Sequence, residues 1–197
     1  MIKANTEMDE IINGENEWTQ STLRQVDRMN SLIKNLLTIA KFQEKEKTEI
    51  TDVDISIIVK EVADTFAPVD SCNKITLNIS IMNDVHMSCA ADDIRQLTTL
   101  LLDNAIKYCD DNGEVNVELF KKARQIVLKV SNHYKSGENV DYTKFFERFY
   151  REDQSRNIDK GGYGIGLSIT QEIVKTYKGS IKVSWENDII SFICSFK

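Results

Sequence analysis

From Ile75 onward, short segments of alternating apolar and polar residues are interrupted by two helical stretches, an order that few folds accommodate. Ile75, Leu77, Ile79 and Ile81 alternate with Thr76, Asn78 and Ser80, the period of a strand with one buried face. Further strands read over Val85–Cys89, Glu114–Phe120, Gln125–Ser131, Ser180–Trp185 and Ile189–Phe196, the last two joined as a hairpin around Asn187-Asp188. Helices read over Asp92–Tyr108 and Gly164–Tyr177. The regular strand–helix–strand rhythm of a parallel sheet is missing, so the expected class is α+β, a mixed sheet with helices on one face. Upstream, Asp54 caps a helix carrying Ile58, Val59, Val62 and Phe66, expected to end near the only proline, Pro68.

The first quarter of the chain has another period. Val26, Met29, Ile33, Leu36 and Ala40 repeat at spacings of three and four, a heptad seam widened by Leu32 and Leu37. Ala4, Met8 and Ile11 share a face before Asn13-Gly14 supplies a stop. Two helices make only a hairpin, so the reading is that two copies of the chain pair as a four-helix bundle; packing on the chain's own second half is the alternative. The charged stretch Glu44–Glu49 is the expected boundary, giving a helical hairpin over 1–46 and a second domain over 51–197.

Composition narrows the function. With 41% hydrophobic and 28% charged residues the chain reads as an ordinary soluble globular protein, and 31 acidic against 25 basic side chains exclude a broad nucleic-acid surface. Cys72, Cys89, Cys109 and Cys194 are scattered without a C-x-x-C pair, which points to buried thiols rather than zinc or disulfides. No apolar run is long enough to span a bilayer.

The most specific string is Gly161-Gly162-Tyr163-Gly164-Ile165-Gly166-Leu167, running directly into an amphipathic helix. Glycines admit a close ligand, and a helix N-terminus offers unpaired N–H groups to phosphate, although a flexible loop has the same look. Asn104, Lys107 and Tyr108 lie within about one turn of each other. An amide oxygen suits magnesium and an ammonium suits phosphate, while a capping Asn beside a solvated Lys is the plainer alternative.

Taken together, L-L-x-N-A-x-K-Y at Leu101–Tyr108, F-E-R-F-Y-R at Phe146–Arg151 and G-G-x-G-x-G-L-S-I from Gly161 strongly resemble the catalytic domain of bacterial sensor histidine kinases, a class shared with gyrase and the Hsp90 chaperones. The resemblance covers 51–197, and the long helix before it is similar to the second helix of the family's dimerisation and phosphotransfer domain. It implies a two-layer α/β sandwich holding ATP and Mg2+ beneath a mobile lid. By the same resemblance Asn104 is the magnesium and phosphate ligand, Lys107 a phosphate contact and Tyr108 part of the pocket. Gly162, Gly164 and Gly166 cradle phosphates with Leu167 behind them. Phe146, Phe149 and Tyr150 form an aromatic box at the front of the lid, flanked by Arg148 and Arg151, and Arg156 and Lys160 lie in the lid. The box has a small local core as its alternative, and the lid charges have solvated loop residues as theirs.

The implied activity is that of the cytoplasmic kinase core of a two-component sensor: phosphoryl transfer from ATP to a histidine, then to a response-regulator aspartate, in a homodimer, with any membrane attachment through an upstream segment. The chain departs from the pattern at three places. Its two histidines, His86 and His133, stand near no histidine-acidic motif, so the phosphoacceptor is expected upstream. Asn132 stands where the family has its adenine-binding aspartate, with Tyr134 and Ser136 at the usual glycine positions and Gly137 one residue late. Leu100 replaces a polar residue four positions before Asn104. These departures motivate the rival reading, a degenerate kinase-like module with weak or no ATP binding that acts in dimeric interaction or as a phosphatase.

Overall fold

The computed structural model describes residues 2–14, 16–26, 29–30, 33, 49–73, 75–138, 140–150 and 164–197, with side chains 68–73 left aside. The chain divides into two compact units, 1–46 and 47–197, each taken by itself.

In the first unit, α1 (Ile2–Asn13) stops where Gly14 takes φ +82° and its N–H donates to the Glu10 carbonyl at 2.9 Å. This is the glycine stop the sequence predicts, because only glycine enters that region without a Cβ clash. A second helix, α2, covers 17–26. Asn16 caps it, its Oδ1 accepting from the N–H groups of Trp18 and Thr19 at 3.0 Å each. The Thr19 hydroxyl donates to the Glu10 carboxylate at 2.7 Å and so ties the two helices. Positions 29, 30 and 33 are also helical, with Met29 and Ile33 exposed; Leu32, Leu36, Leu37 and Ala40 lie outside the described residues.

The second unit opens with β1 (Thr51–Asp54), which pairs antiparallel with β3 (His86–Cys89). Asp54 ends β1 and caps α3 (Ile55–Asn73), accepting from the Ser56 N–H at 2.9 Å. Burial would raise its carboxyl pKa, but the hydrogen bonds from Ser56 prevail and hold it below the ordinary value. The helix runs on to Asn73 instead of ending near Pro68. Proline forfeits its own N–H bond and crowds the preceding turn, a local cost that a helix of 19 residues, anchored by Ile55, Ile58, Val59, Val62 and Ala63, absorbs.

The main sheet has the strand order β2 (Thr76–Ile81), β4 (Glu114–Lys122), β5 (Gln125–His133), β7 (Ile189–Phe196), β6 (Ser180–Glu186), with β2–β4 parallel and the other pairs antiparallel. The β6–β7 hairpin turns at Asn187 and Asp188, both with positive φ, as the expected two-residue turn requires. Register sets cross-strand rows on the covered face: Ile79, Val117, Val130, Phe192, Val183, and one step along, Leu77, Val115, Asn132, Ile190, Trp185. The other face is mixed, carrying Phe120, Val127, Ile189 and Ile193 beside an ion pair of 2.7 Å between Lys129 and Glu118. Over the covered face pack α3, α4 (Ala91–Tyr108) and α5 (Gly166–Thr176), burying Ile94, Leu97, Leu101 and Leu102 from α4 and Ile169, Ile173 and Val174 from α5. This is the expected α+β arrangement in two layers.

Cys89, Cys109 and Cys194 are buried, as read from sequence, and burial with the nearby charges of Asp93 and Asp52 pushes the Cys89 thiol up to about 11. His86 is exposed, its Nδ1 3.0 Å from Asp52 and its Nε2 3.2 Å from Asp84. The hydrogen bond to Asp52, foremost among these contacts, raises its pKa. No helix among the described residues is long and apolar enough to cross a membrane.

Tyr177, just past α5, fixes the two central helices. Its hydroxyl donates to the Asp93 carboxylate and accepts from the Ala90 N–H at 3.0 Å, where α4 has no side-chain cap of its own. Burial and the Asp93 carboxylate hold this phenol far above its ordinary range, so it stays a donor. Tyr177→Phe leaves both partners short of a bond and should cost about 1–2 kcal/mol in urea unfolding, lowering Tm by roughly 3–6 °C; an unchanged Tm would show that α4 and α5 are held by packing alone.

Candidate functional site

The polar residues that sequence reading singles out gather at one end of the helical layer. Since Tyr177 at the C-terminus of α5 meets the N-terminus of α4, and Leu100 of α4 reaches Gly166 at the N-terminus of α5, the two helices run antiparallel. Asn104 lies about one turn beyond Leu100, about 6 Å further along the axis, and so stands beside the start of α5. It is half-buried, as are Lys107 and Tyr108 on the following turn. The Lys107 ammonium sits 5.1 Å from the centroid of the Tyr108 ring, a cation–π contact that holds the two side by side.

The helix-facing row of the sheet supplies the second wall. Asn132, 1% exposed, is the polar member of an otherwise apolar row. Its Nδ2 donates to the His133 carbonyl at 3.0 Å, and its Oδ1 is buried with no hydrogen-bond partner among the described residues. A buried acceptor without a donor costs about 1–3 kcal/mol, so this oxygen fits a ligand N–H. The His133 carbonyl also accepts from the Asp110 N–H at 3.0 Å, and the Asp110 carboxylate accepts from the Lys135 N–H at 2.8 Å. The loop after α4 is thereby joined to the end of β5, bringing Tyr108 and Asn132 to one edge.

The turn after β5 is held by side chains. The Trp185 indole N–H donates to the Tyr134 carbonyl at 2.7 Å, and the Tyr142 hydroxyl donates to the Gly137 carbonyl at 2.6 Å. A Cβ on Gly137 would come within 2.3 Å of the Trp185 ring, so the late glycine is needed for this close approach. Ser136 is exposed and brings no bulk to the buried Asn132, while Tyr134 is half-buried.

The aromatic cluster around Phe145 differs from the expected box. Phe145 stacks on Phe192 with centroids 6.5 Å apart and lies 5.1 Å from Tyr142 and 6.1 Å from Tyr150. Phe146 is half-buried, Arg148 is exposed and Phe149 is 61% exposed with φ +66°, so of the three expected ring anchors Tyr150 joins this cluster. Gly164, also at φ +66°, accepts from the Phe149 N–H at 2.9 Å, and a Cβ there would meet the Tyr150 carbonyl oxygen at 2.4 Å. Gly166 differs: the nearest atom to a Cβ is Leu100 Cδ2 at 3.6 Å. The first turn of α5 has no side-chain cap, and Leu167 is half-buried. Arg151, Arg156, Lys160, Gly161, Gly162 and Tyr163 lie outside the described residues.

The site therefore offers a fixed buried acceptor at Asn132, an amide oxygen and an ammonium at Asn104 and Lys107, and an uncapped helix start behind Gly166. A hard oxygen donor beside a lysine suits a metal-bound phosphate, and an uncapped helix N-terminus carries the positive dipole end. Sequence reading did not single out Asp110, Trp185, Tyr142, Phe145 or Tyr177. Trp185 alone had a legible signal, since it shares strand parity with Ile181 and Val183.

Comparison with known proteins shows the family and the fold. The profile described as Histidine kinase-, DNA gyrase B-, and HSP90-like ATPase matches residues 89–193. Sensor protein CiaH of Streptococcus pneumoniae is 32% identical over 165 residues, 83% of this chain and 36% of that protein. Sensor protein DltS of Streptococcus agalactiae is 29% identical over 188 residues, 95% of this chain and 47% of that protein. The chain thus spans less than half the length of these relatives. In fold it is similar to the Acinetobacter baumannii histidine kinase AdeS, with TM-score 0.71 at 21% identity over 100% of this chain and 93% of that one. The catalytic domain of histidine kinase ThkA gives TM-score 0.63 at 22% identity over 75% of this chain and 95% of that one. With more than half of its length matched by the family profile, this chain belongs to the histidine kinase-, DNA gyrase B- and HSP90-like ATPases and carries the catalytic ATP-binding domain of a sensor histidine kinase.

Proposed function

We propose that this chain is the kinase core of a two-component sensor histidine kinase and binds Mg-ATP between α4, the end of β5 and the start of α5. The observation that carries the reading is the buried, unpartnered Oδ1 of Asn132 on a wall whose neighbouring helix bears Asn104 and Lys107. In this reading Asn132 accepts from the base, which fixes how deep the nucleotide sits. Asn104 offers its amide oxygen to Mg2+, Lys107 offers its ammonium to phosphate oxygens, and the N–H groups of the first turn of α5 face the phosphates across Gly166. When bound, Mg-ATP supplies the phosphoryl group destined for a histidine and then a response-regulator receiver aspartate. Tyr108 and the Phe145–Tyr150 cluster close the flanks against water.

The proposed domains are a helical dimerisation hairpin over 1–46 and a catalytic domain over 51–197, a reading that the division of the chain into units 1–46 and 47–197 supports. Met8 and Ile11 of α1, with Met29 and Ile33, are exposed apolar residues, which supports pairing of two chains through the first unit. The proposed location is cytoplasmic, with membrane attachment through a segment outside this sequence. A second reading, a degenerate module without phosphotransfer, draws on Leu100, whose apolar side chain faces Gly166 where a hydrogen-bonding group would serve a reacting oxygen.

Calorimetric titration with ADP and a non-hydrolysable ATP analogue in excess Mg2+ should show saturable binding that Asn104→Ala weakens by about tenfold or more. No heat of binding at ~1 mM nucleotide would favour the degenerate module. The two glycines should separate in the same assay. Gly166→Ala meets only ordinary contacts, so it should leave Tm near wild type while weakening the nucleotide. Gly164→Ala forces a Cβ against the Tyr150 carbonyl at positive φ and should lower Tm as well, by an amount matching about 1–3 kcal/mol. Equal, full nucleotide affinity in both variants would remove the glycine loop from the site.

A further inference from the structure

The one polar side chain in the covered row of the sheet is wired in a way that the aspartate-for-asparagine comparison conceals. An amide has one donor end and one acceptor end, and here the donor end is spent inside the protein: Asn132 Nδ2 to the His133 carbonyl, 3.0 Å. Turning the amide over would set Oδ1 against that carbonyl, oxygen to oxygen, and leave an NH2 in its place. The carbonyl cannot swing away, because it also accepts from the Asp110 N–H at 3.0 Å and Asp110 is bound in turn to the Lys135 N–H. Asn132 Oδ1 is therefore a neutral acceptor of fixed direction, buried and unpartnered.

We propose that Asn132 is a specificity-determining residue whose orientation the His133 carbonyl dictates, so that the base subsite of this chain requires an amide and works less well with the aspartate usual in the family. The proposal rests on the nucleotide-binding reading of the site. An ionised carboxylate at this position directs one oxygen at the His133 carbonyl, which has no proton to offer, and it places a charge in a buried row. Only a protonated carboxyl reproduces the wiring, its O–H replacing the amide N–H and its carbonyl oxygen facing the base. A purine with a 6-amino group donates to Oδ1, whereas a 6-keto purine presents a second oxygen to it and is rejected.

The test is calorimetric titration of wild type, Asn132→Asp and Asn132→Ala with Mg-ADP and Mg-IDP, which differ in the base only at this edge, at about pH 7.5 and about pH 5.5. Wild type should prefer ADP over IDP by about tenfold or more. At the higher pH Asn132→Asp should bind ADP about tenfold more weakly than wild type, and the deficit should shrink at the lower pH as the carboxyl takes up its proton. Other titrating groups on the flanking segments, Lys107 on α4, Asp110, Glu114, His133, Lys135 and Asp188, are common to all the proteins, so wild type reports their share. Without nucleotide, Asn132→Asp should melt below wild type at the higher pH and approach it at the lower. Asn132→Asp binding ADP as tightly as wild type at the higher pH, or wild type binding IDP as well as ADP, would overturn the proposal while leaving the nucleotide site intact. Absence of any nucleotide binding by wild type would instead overturn the reading of the site, and equal melting of wild type and Asn132→Asp at both pH values would then overturn the wiring on its own.

Discussion

One backbone carbonyl, that of His133, holds the two halves of the site together. It accepts from the Asp110 N–H in the loop after α4 and from the side chain of Asn132 beside it, so the helix carrying Asn104 and Lys107 is joined to the strand end carrying the buried acceptor. Two further bonds close around this point: the Glu114 N–H donates to His133 Nδ1 at 3.0 Å, and Asp110 receives the Lys135 N–H. Among the described residues, Asn132 Oδ1 is the buried side-chain atom left without a partner, where the helical layer and the sheet meet. Buried polar atoms are so regularly satisfied that such an exception marks a place for a ligand.

The second constraint is the antiparallel pairing of α4 and α5. Tyr177 locks one end by bonding Asp93 and Ala90, and at the other end Leu100 lies beside Gly166, with room for ordinary contact between them. Asn104 then falls beside an uncapped helix start. Leu100 reads from sequence as a lost polar group; in the fold it is half-buried and lies nearest Gly166.

Much of this was legible in the sequence where a single local rule decides. Period-two alternation located the strands, Asn187-Asp188 the hairpin, Asp54 a helix cap and Gly14 a helix stop. The two-residue helix-start error at Gly164 arose because its φ of +66° serves contact with Phe149 and Tyr150, not helix. β1 was missed because a four-residue strand with two aspartates has almost no pattern and is defined by pairing with residues more than thirty positions away. Pro68 misled because a proline disfavours helix locally while the apolar face of α3 favours it over five turns. For the site, Asn104, Lys107, Asn132 and the glycines were visible as a motif. The wiring of Asn132 was not, since a bond from a side chain to the next residue's carbonyl depends on backbone angles that composition does not encode. Nor could spacing say that Phe145, rather than Phe149, would meet Phe192 across the fold.

The central claim is that the Asn132 amide spends its donor on the protein and keeps its acceptor for the base. Hydrogen exchange of the Asn132 side-chain NH2, followed by NMR with and without Mg-ADP, tests it most directly. The account predicts that one Nδ2 proton is protected in the free protein and that its protection is no greater once nucleotide is bound, because the bond to the His133 carbonyl exists already. Free exchange of both protons in the absence of nucleotide, with protection gained only on binding, would contradict it by making the amide a donor to the base.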